Sequence, residues 1–149
     1  MRVVVQRVQR ASVSVNGAVV GQIGAGLLIL VAVAVDDTDR DIKYTAEKVV
    51  SLRIFDDDQG VMNRSVLDIG GAILAVSQFT LYGDVRRGRR PSWIDSAPPE
   101  IAEPYYERFV AALREIVPRV ETGTFRAQMQ IELVNDGPVT ILVDSRKVF

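Results

Sequence analysis

The chain has 149 residues, of which 48% are apolar, and 18 basic side chains stand against 19 acidic ones. That supplies one real core and excludes a disordered or strongly polycationic chain. No apolar run reaches the length of a membrane span, and Arg2 and Arg7 break any secretory leader.

A cytoplasmic protein with a single domain over 1–149 is therefore expected. Taken in order, Arg2–Val8 and Ala11–Val15 are valine-rich and partly alternating, which predicts strands. Asn16-Gly17 is a two-residue hairpin signal, with Ala18–Ile23 as the partner strand. Gly24 and Gly26 punctuate the chain before a strand over Leu27–Val35, the longest apolar stretch. Asp36, Asp37 and Thr38 offer caps for a helix over Asp39–Leu52, where Ile42, Ala46, Val49 and Val50 share one face. A short strand over Arg53–Phe55 leads into a turn at Asp56–Gly60, and Gly70-Gly71 precedes a strand over Ala72–Ser77.

Tyr82–Pro99 reads as a loop. A second helix starts at Pro99 or Glu100 and ends near Val117, with Ala102, Tyr106, Phe109, Val110 and Leu113 on its apolar face. Strands over Gln128–Val134 and Val139–Val143 flank a turn at Asn135-Asp136-Gly137-Pro138. Many strands and two helices predict a mixed α/β fold: curled, layered, barrel-like sheets with the helices on one face.

The chain contains no cysteine and no histidine. Disulfides, thiolate nucleophiles and Ser-His-Asp or Cys-His arrangements are excluded within the chain. Any hydrolysis must move protons through carboxylates, lysine, backbone, water or the substrate itself. No metal-ligand spacing stands out: Asp56-Asp57-Asp58-Gln59-Gly60 lacks the alternating ligands and closing Glu of a calcium loop. Gly21, Gly24 and Gly26 form no phosphate-binding GxGxxG, so no cofactor is expected.

Three segments remain as candidates for chemistry. Ser77-Gln78-Phe79-Thr80-Leu81 puts polar side chains at the end of a buried strand. They form either an active-site wall or a strand emerging into solvent with its hydroxyls bonded to backbone. Asn135-Asp136-Gly137-Pro138-Val139-Thr140 is either a plain turn or, with a cis Gly-Pro bond, a rigid presenter of carbonyl oxygens. Arg86, Arg87, Arg89 and Arg90 surround Gly88, suiting phosphates, while Trp93 and Tyr82 offer surfaces on which a base can stack. The plain alternative is a solvated loop paired with acids elsewhere.

Together these segments resemble the D-aminoacyl-tRNA deacylases along essentially the whole chain. The likeness runs from Gln6-Arg7-Val8 and Ala11-Ser12-Val13 through Gly24-Ala25-Gly26-Leu27, Arg53-Ile54-Phe55 and Met62-Asn63. It continues through Ser77–Leu81, Arg89-Arg90-Pro91-Ser92, Thr122-Gly123, Phe125 and Met129 to Asn135–Thr140. The resemblance implies a homodimer that edits mischarged tRNA with active sites at the subunit interface. It implies that Ser77, Gln78, Phe79 and Thr80 line the pocket for the aminoacylated 3′ adenosine. It also implies that Gly137-Pro138, held by Arg7, reaches into the opposite subunit and rejects L-amino acids, leaving D-amino acids and glycine as substrates. The 2′-hydroxyl of the tRNA then assists water attack, which suits a chain without histidine. Two rivals stay open: a non-catalytic RNA-binding module, and an editing domain for L-aminoacyl esters, against which Gly137-Pro138 argues.

Overall fold

Alternation along the valine-rich strands builds one sheet with two apolar faces. The elements follow as β1 (Arg2–Val15), β2 (Ala18–Ile23), β3 (Gly26–Ala32), α1 (Asp39–Ser51), β4 (Phe55–Asp56) and β5 (Met62–Arg64). Next come β6 (Ala72–Ser77), α2 (Pro99–Ile116), β7 (Val120–Thr122) and β8 (Gln130–Asp144). This computed structural model describes residues 1–149. The sheet order is β2-β1-β3-β6-β7, with β8 paired to β1, while β4 and β5 form a separate hairpin. β3, β6 and β7 run parallel to one another, and β1 pairs antiparallel with β2, β3 and β8.

Leu27, Ile29, Val31, Ile73 and Ala75 point to the helices and join Val49, Phe109 and Leu113 in the larger core. Their sequence neighbours Leu28, Leu74 and Val76 point the other way, onto Val8, Val13 and Ile23. This second core is the inside of a curled sheet. β2 folds over toward β7 so closely that a Cβ on Gly21 would stand 2.5 Å from the Thr122 carbonyl oxygen. Only glycine permits that approach. The result is a mixed α/β fold, a nearly closed barrel-like sheet with two helices on its outer face.

The helices obey the predicted spacing. α1 is opened by Thr38, whose N–H donates to Asp41 Oδ2 at 2.8 Å, and it buries Ile42, Thr45, Ala46, Val49 and Val50. α2 has Pro99 in its first turn and buries Ala102, Tyr106, Phe109, Val110 and Leu113. Phe109 is fully buried, and its truncation to alanine should cost about 3–5 kcal/mol.

Several boundaries differ from expectation. β1 is continuous because β8 accompanies it throughout, while its other edge passes from β3 to β2. β3 ends at Ala32 rather than Val35, and Ala34 instead makes an isolated bridge to Ser96. β4 starts at Phe55 rather than Arg53 and ends at Asp56, because its pairing partner is β5, which, like β7, is too short for periodicity to reveal. Asn135–Pro138 is not a hairpin turn. Its flanking segments are one strand, β8, and both pair with β1 rather than with each other.

Candidate functional site

A cavity of about 490 Å³ opens at the carboxyl ends of the parallel strands β3 and β6. Such ends are where open parallel sheets leave a crevice. Its walls come from Val76–Phe79, from Ser96, Ala97, Pro99 and Ala102 at the start of α2, and from the segment before and within β8. The last contributes Phe125, Arg126, Ala127, Met129 and Ile131. Ten of the fifteen lining residues are apolar. No carboxylate, lysine or tyrosine is among them.

The chain turns at this point because β6 stops at Ser77. The Gln78 N–H donates to the Val31 carbonyl at 2.7 Å, and Phe79–Tyr82 then coil into a single 3-10 turn. Ser77 to Leu81 is thus a strand end, as expected, followed by a turn. The first N–H groups of a helical turn have no partner inside it. Those of Phe79 and Thr80 find none elsewhere in the chain. Ser77, Gln78 and Phe79 line the cavity, whereas Thr80 is exposed and does not. Its hydroxyl accepts a hydrogen bond from Gln78 Nε2 instead.

The turn is clamped from behind. Arg2 Nε donates to Asp144 Oδ2 at 2.7 Å, Nη1 donates to the Leu81 carbonyl at 3.2 Å, and the guanidinium lies 4.5 Å from the Tyr82 ring centroid. On the α2 side, Tyr106 donates its buried hydroxyl to the Ala75 carbonyl at 2.8 Å. Burial pushes both the Tyr82 and Tyr106 phenols well above the ordinary tyrosine range. Both stay neutral. Tyr82, expected as a surface for a base, is buried at 3% exposure and cannot serve as one.

Gly137-Pro138 is a cis peptide within β8. Opposite the two-residue step from Gln6 to Val8, β8 advances from Asn135 to Thr140, so the intervening residues bulge out. Gly137 and Pro138 are exposed, while Arg7 beneath them is buried. Arg7 Nε donates to the Asp136 carbonyl at 3.0 Å, and Nη1 donates to the Ile54 carbonyl at 2.7 Å. Asp56 Oδ1 lies 3.4 Å from Nη1, so the β4–β5 hairpin braces the same arginine. A Cβ on Gly137 (φ +123°) would sit 2.8 Å from Val139 Cγ2 and 3.1 Å from Arg7 Nη2.

The arginine loop lies near the cavity mouth. Reciprocal backbone bonds of 2.9 Å between Asp84 and Ser92 close it. Arg86 grips Asp84 with its backbone N–H, Nε and Nη2, at 2.9, 2.9 and 2.7 Å. That grip holds the Asp84 carboxyl well below the usual carboxylate range. Arg87, Arg89 and Arg90 are exposed and pair with no acid. Of the four arginines, Arg86 is paired with an acid of its own loop, and the other three stand in solvent.

The structure therefore unites Ser77, Gln78 and Phe79 in the cavity and joins Arg7 to Gly137-Pro138. It does not bring the bulge to the cavity of its own chain. Sequence reasoning missed Ser96, Ala97, Ala127 and Ile131 as cavity walls and gave Phe125 and Met129 no role in the site. The only local signal was the Gly123 break before Phe125.

Fold and cavity describe a barrel-like chain with an apolar, base-free pocket at a strand end, and comparison with known proteins identifies its kind. Residues 4–144 match the family described as D-Tyr-tRNA(Tyr) deacylase, and the chain belongs to that family. It is 60% identical over 149 residues to D-aminoacyl-tRNA deacylase of Thermosipho africanus (strain TCF52B), covering 100% of both chains. The same identity holds for the D-aminoacyl-tRNA deacylase of Symbiobacterium thermophilum, over 100% of this chain and 99% of the relative. A solved structure described as c-Myc DNA Unwinding Element Binding Protein superposes with a TM-score of 0.93 at 39% identity, covering 97% of this chain and 98% of that one. A probable eukaryotic D-amino acid tRNA deacylase, 21% identical, shares the fold at a TM-score of 0.81, covering 95% of this chain and 97% of that one.

Proposed function

We propose that this protein hydrolyses the ester bond between a D-amino acid and the 3′ end of tRNA, releasing free D-amino acid and tRNA. The observation that carries the chemistry is a cavity with unpaired backbone N–H groups at its edge and no carboxylate, lysine or tyrosine in its walls. The N–H groups of Phe79 and Thr80 stabilise the oxyanion that forms when water adds to the ester carbonyl. The cavity offers no side chain to take the proton from that water. The adjacent 2′-hydroxyl of the terminal ribose accepts this proton while passing its own to the departing 3′-oxygen, so the substrate assists its own cleavage as the C–O ester bond breaks. Thr80, turned out of the cavity and bonded to Gln78, positions the turn rather than attacking.

Selectivity comes from a second copy of the chain. The exposed Gly137-Pro138 bulge of one protomer enters the cavity of its partner and occupies the space that an L side chain would need. Such a wall excludes one enantiomer and leaves the other side open, so D-amino acids of different sizes are accepted. Glycine, with no side chain, also passes, making glycyl-tRNA mischarged on tRNA(Ala) a further substrate. Arg7 keeps the bulge in place through the Asp136 carbonyl. Arg87, Arg89 and Arg90 hold the tRNA phosphates.

The direct test is release of amino acid from matched D- and L-tyrosyl-tRNA, run with and without chelator. Turnover of the D-ester alone, unchanged by chelator, is expected. A second reading, a non-catalytic nucleic-acid-binding module, draws on the DNA-binding name of the 39% identical structural neighbour. Binding without turnover of either ester would favour it. No helix is long and apolar enough to cross a membrane, and a cytoplasmic setting accords with a tRNA substrate.

A further inference from the structure

Trp93 lies just outside the cavity and is 40% exposed. Its ring meets that of Phe79 edge to face, with centroids 5.1 Å apart. Phe79 itself has two aspects: it lines the cavity, and it is 54% exposed. The apolar surface continues onto Ile94, which is 80% exposed. Beyond this patch stands the loop with unpaired Arg87, Arg89 and Arg90. An exposed aromatic patch bordered by free arginines matches a single-stranded nucleic acid, whose bases stack and whose phosphates carry charge.

From this arrangement we infer that Trp93 is a stacking platform for the base next to the terminal adenosine of the substrate. The inference rests on the deacylase reading, which puts that adenosine in the cavity. A strand leaving the cavity past Phe79 meets Trp93 first and then the arginines. The platform reads no base identity, because every base offers a π-face, and it adds affinity rather than chemistry. Trp93 touches neither the ester nor the N–H groups that receive the oxyanion, so its loss should raise KM and leave kcat in place.

Trp93 is the only tryptophan of the chain, so its fluorescence reports the platform without labelling. The probes are adenosine 5′-monophosphate, the trinucleotide CpCpA, and the same trinucleotide with an abasic residue in the penultimate position. CpCpA should quench Trp93 emission and inhibit deacylation. The abasic trinucleotide, with its phosphates intact, should bind roughly tenfold more weakly and quench little. Adenosine 5′-monophosphate should inhibit without quenching. In parallel, Trp93→Ala should raise KM for D-aminoacyl-tRNA roughly tenfold at unchanged kcat, and Trp93→Phe should restore most of the loss.

Equal binding of the abasic and intact trinucleotides, or quenching by adenosine 5′-monophosphate alone, would overturn the platform while leaving the deacylase reading intact. If neither adenosine 5′-monophosphate nor CpCpA inhibits, the cavity does not hold the terminal nucleoside, and both fall together. A Trp93→Ala variant with lowered kcat and lowered thermal stability would assign Trp93 to packing under Phe79 instead.

Discussion

The turn at Phe79–Tyr82 and the bulge at Gly137-Pro138 both interrupt a strand, and they are built in opposite senses. The turn ends a parallel strand over a hollow, so its free N–H groups stand at the edge of a space that a substrate can fill. The bulge leaves a long edge strand outward, so it is a projection with nothing of its own chain in front of it. Each has an arginine behind it. Arg2 holds the Leu81 carbonyl and Arg7 holds the Asp136 carbonyl. Both features are displaced backbone, steadied by a guanidinium that donates to a carbonyl.

Their separation is the lesson. Ser77 pairs with Val31, which pairs with Val3, whereas the bulge stands opposite Arg7 on the other edge of β1. At about 3.3 Å per residue and about 4.8 Å per strand, they are roughly 13 Å apart along the strands and roughly 14 Å across them. A hollow and a projection that cannot meet within one chain can meet between two copies, which is the physical support for the proposed dimeric site.

The comparison can be broken most severely at the bulge. Gly137→Ala places a methyl group against Val139 and Arg7 at a positive φ. D-ester hydrolysis should fall about 100-fold or L-esters gain entry, because small displacements at a reacting centre cost that much. The positive φ and the contacts with buried Val139 and Arg7 also lower thermal stability, so rates are compared at a temperature where the variant is fully folded. Wild-type rate and enantioselectivity in this variant would remove the bulge from the mechanism. On the turn side, Arg2→Met removes the clamp on Leu81, and kcat should drop about tenfold through misplaced N–H donors. A tenfold rise in KM with kcat intact would assign Arg2 to substrate affinity instead.

Thr80→Ala should cost only a few-fold, because Thr80 lies outside the cavity; a near-complete loss in single-turnover assays would instead make it a nucleophile. Replacing Arg87, Arg89 and Arg90 with glutamine should reduce the slope of log affinity against log salt by about two. Adding Arg86→Gln should change the slope little further, since that side chain is spent on Asp84.

The smallest effect lies in the hairpin behind Arg7. Asp57 accepts the Val61 and Gln59 N–H groups, which hold its carboxyl below the usual carboxylate range. A depressed folded value means the contribution is present at neutral pH and fades as pH falls through that value. Amide exchange at Val61, corrected for intrinsic rates, should therefore speed up on acidification, and Asp57→Asn should flatten that dependence.

Alternation and helical spacing were enough to locate both helices and the main strands. Those features follow from local periodicity, since Leu27, Ile29 and Val31 must face one way if Leu28 faces the other. The absence of histidine and cysteine also narrowed the chemistry before any fold was known. Other features needed tertiary contacts. β5 and β7 are three residues each and exist only through their partners. The continuity of β8 through Asn135–Pro138 depends on β1 pairing with both of its halves, so a local turn signal was overruled by a neighbour more than a hundred residues away. Tyr82 and Trp93 are both aromatic residues beside one loop, yet only packing buried the first and exposed the second. Phe125, Met129 and Ile131 became cavity walls because the chain returns from α2 and β7 past the end of β6. Period and composition act over a few residues, whereas a cavity is the space left between distant ones.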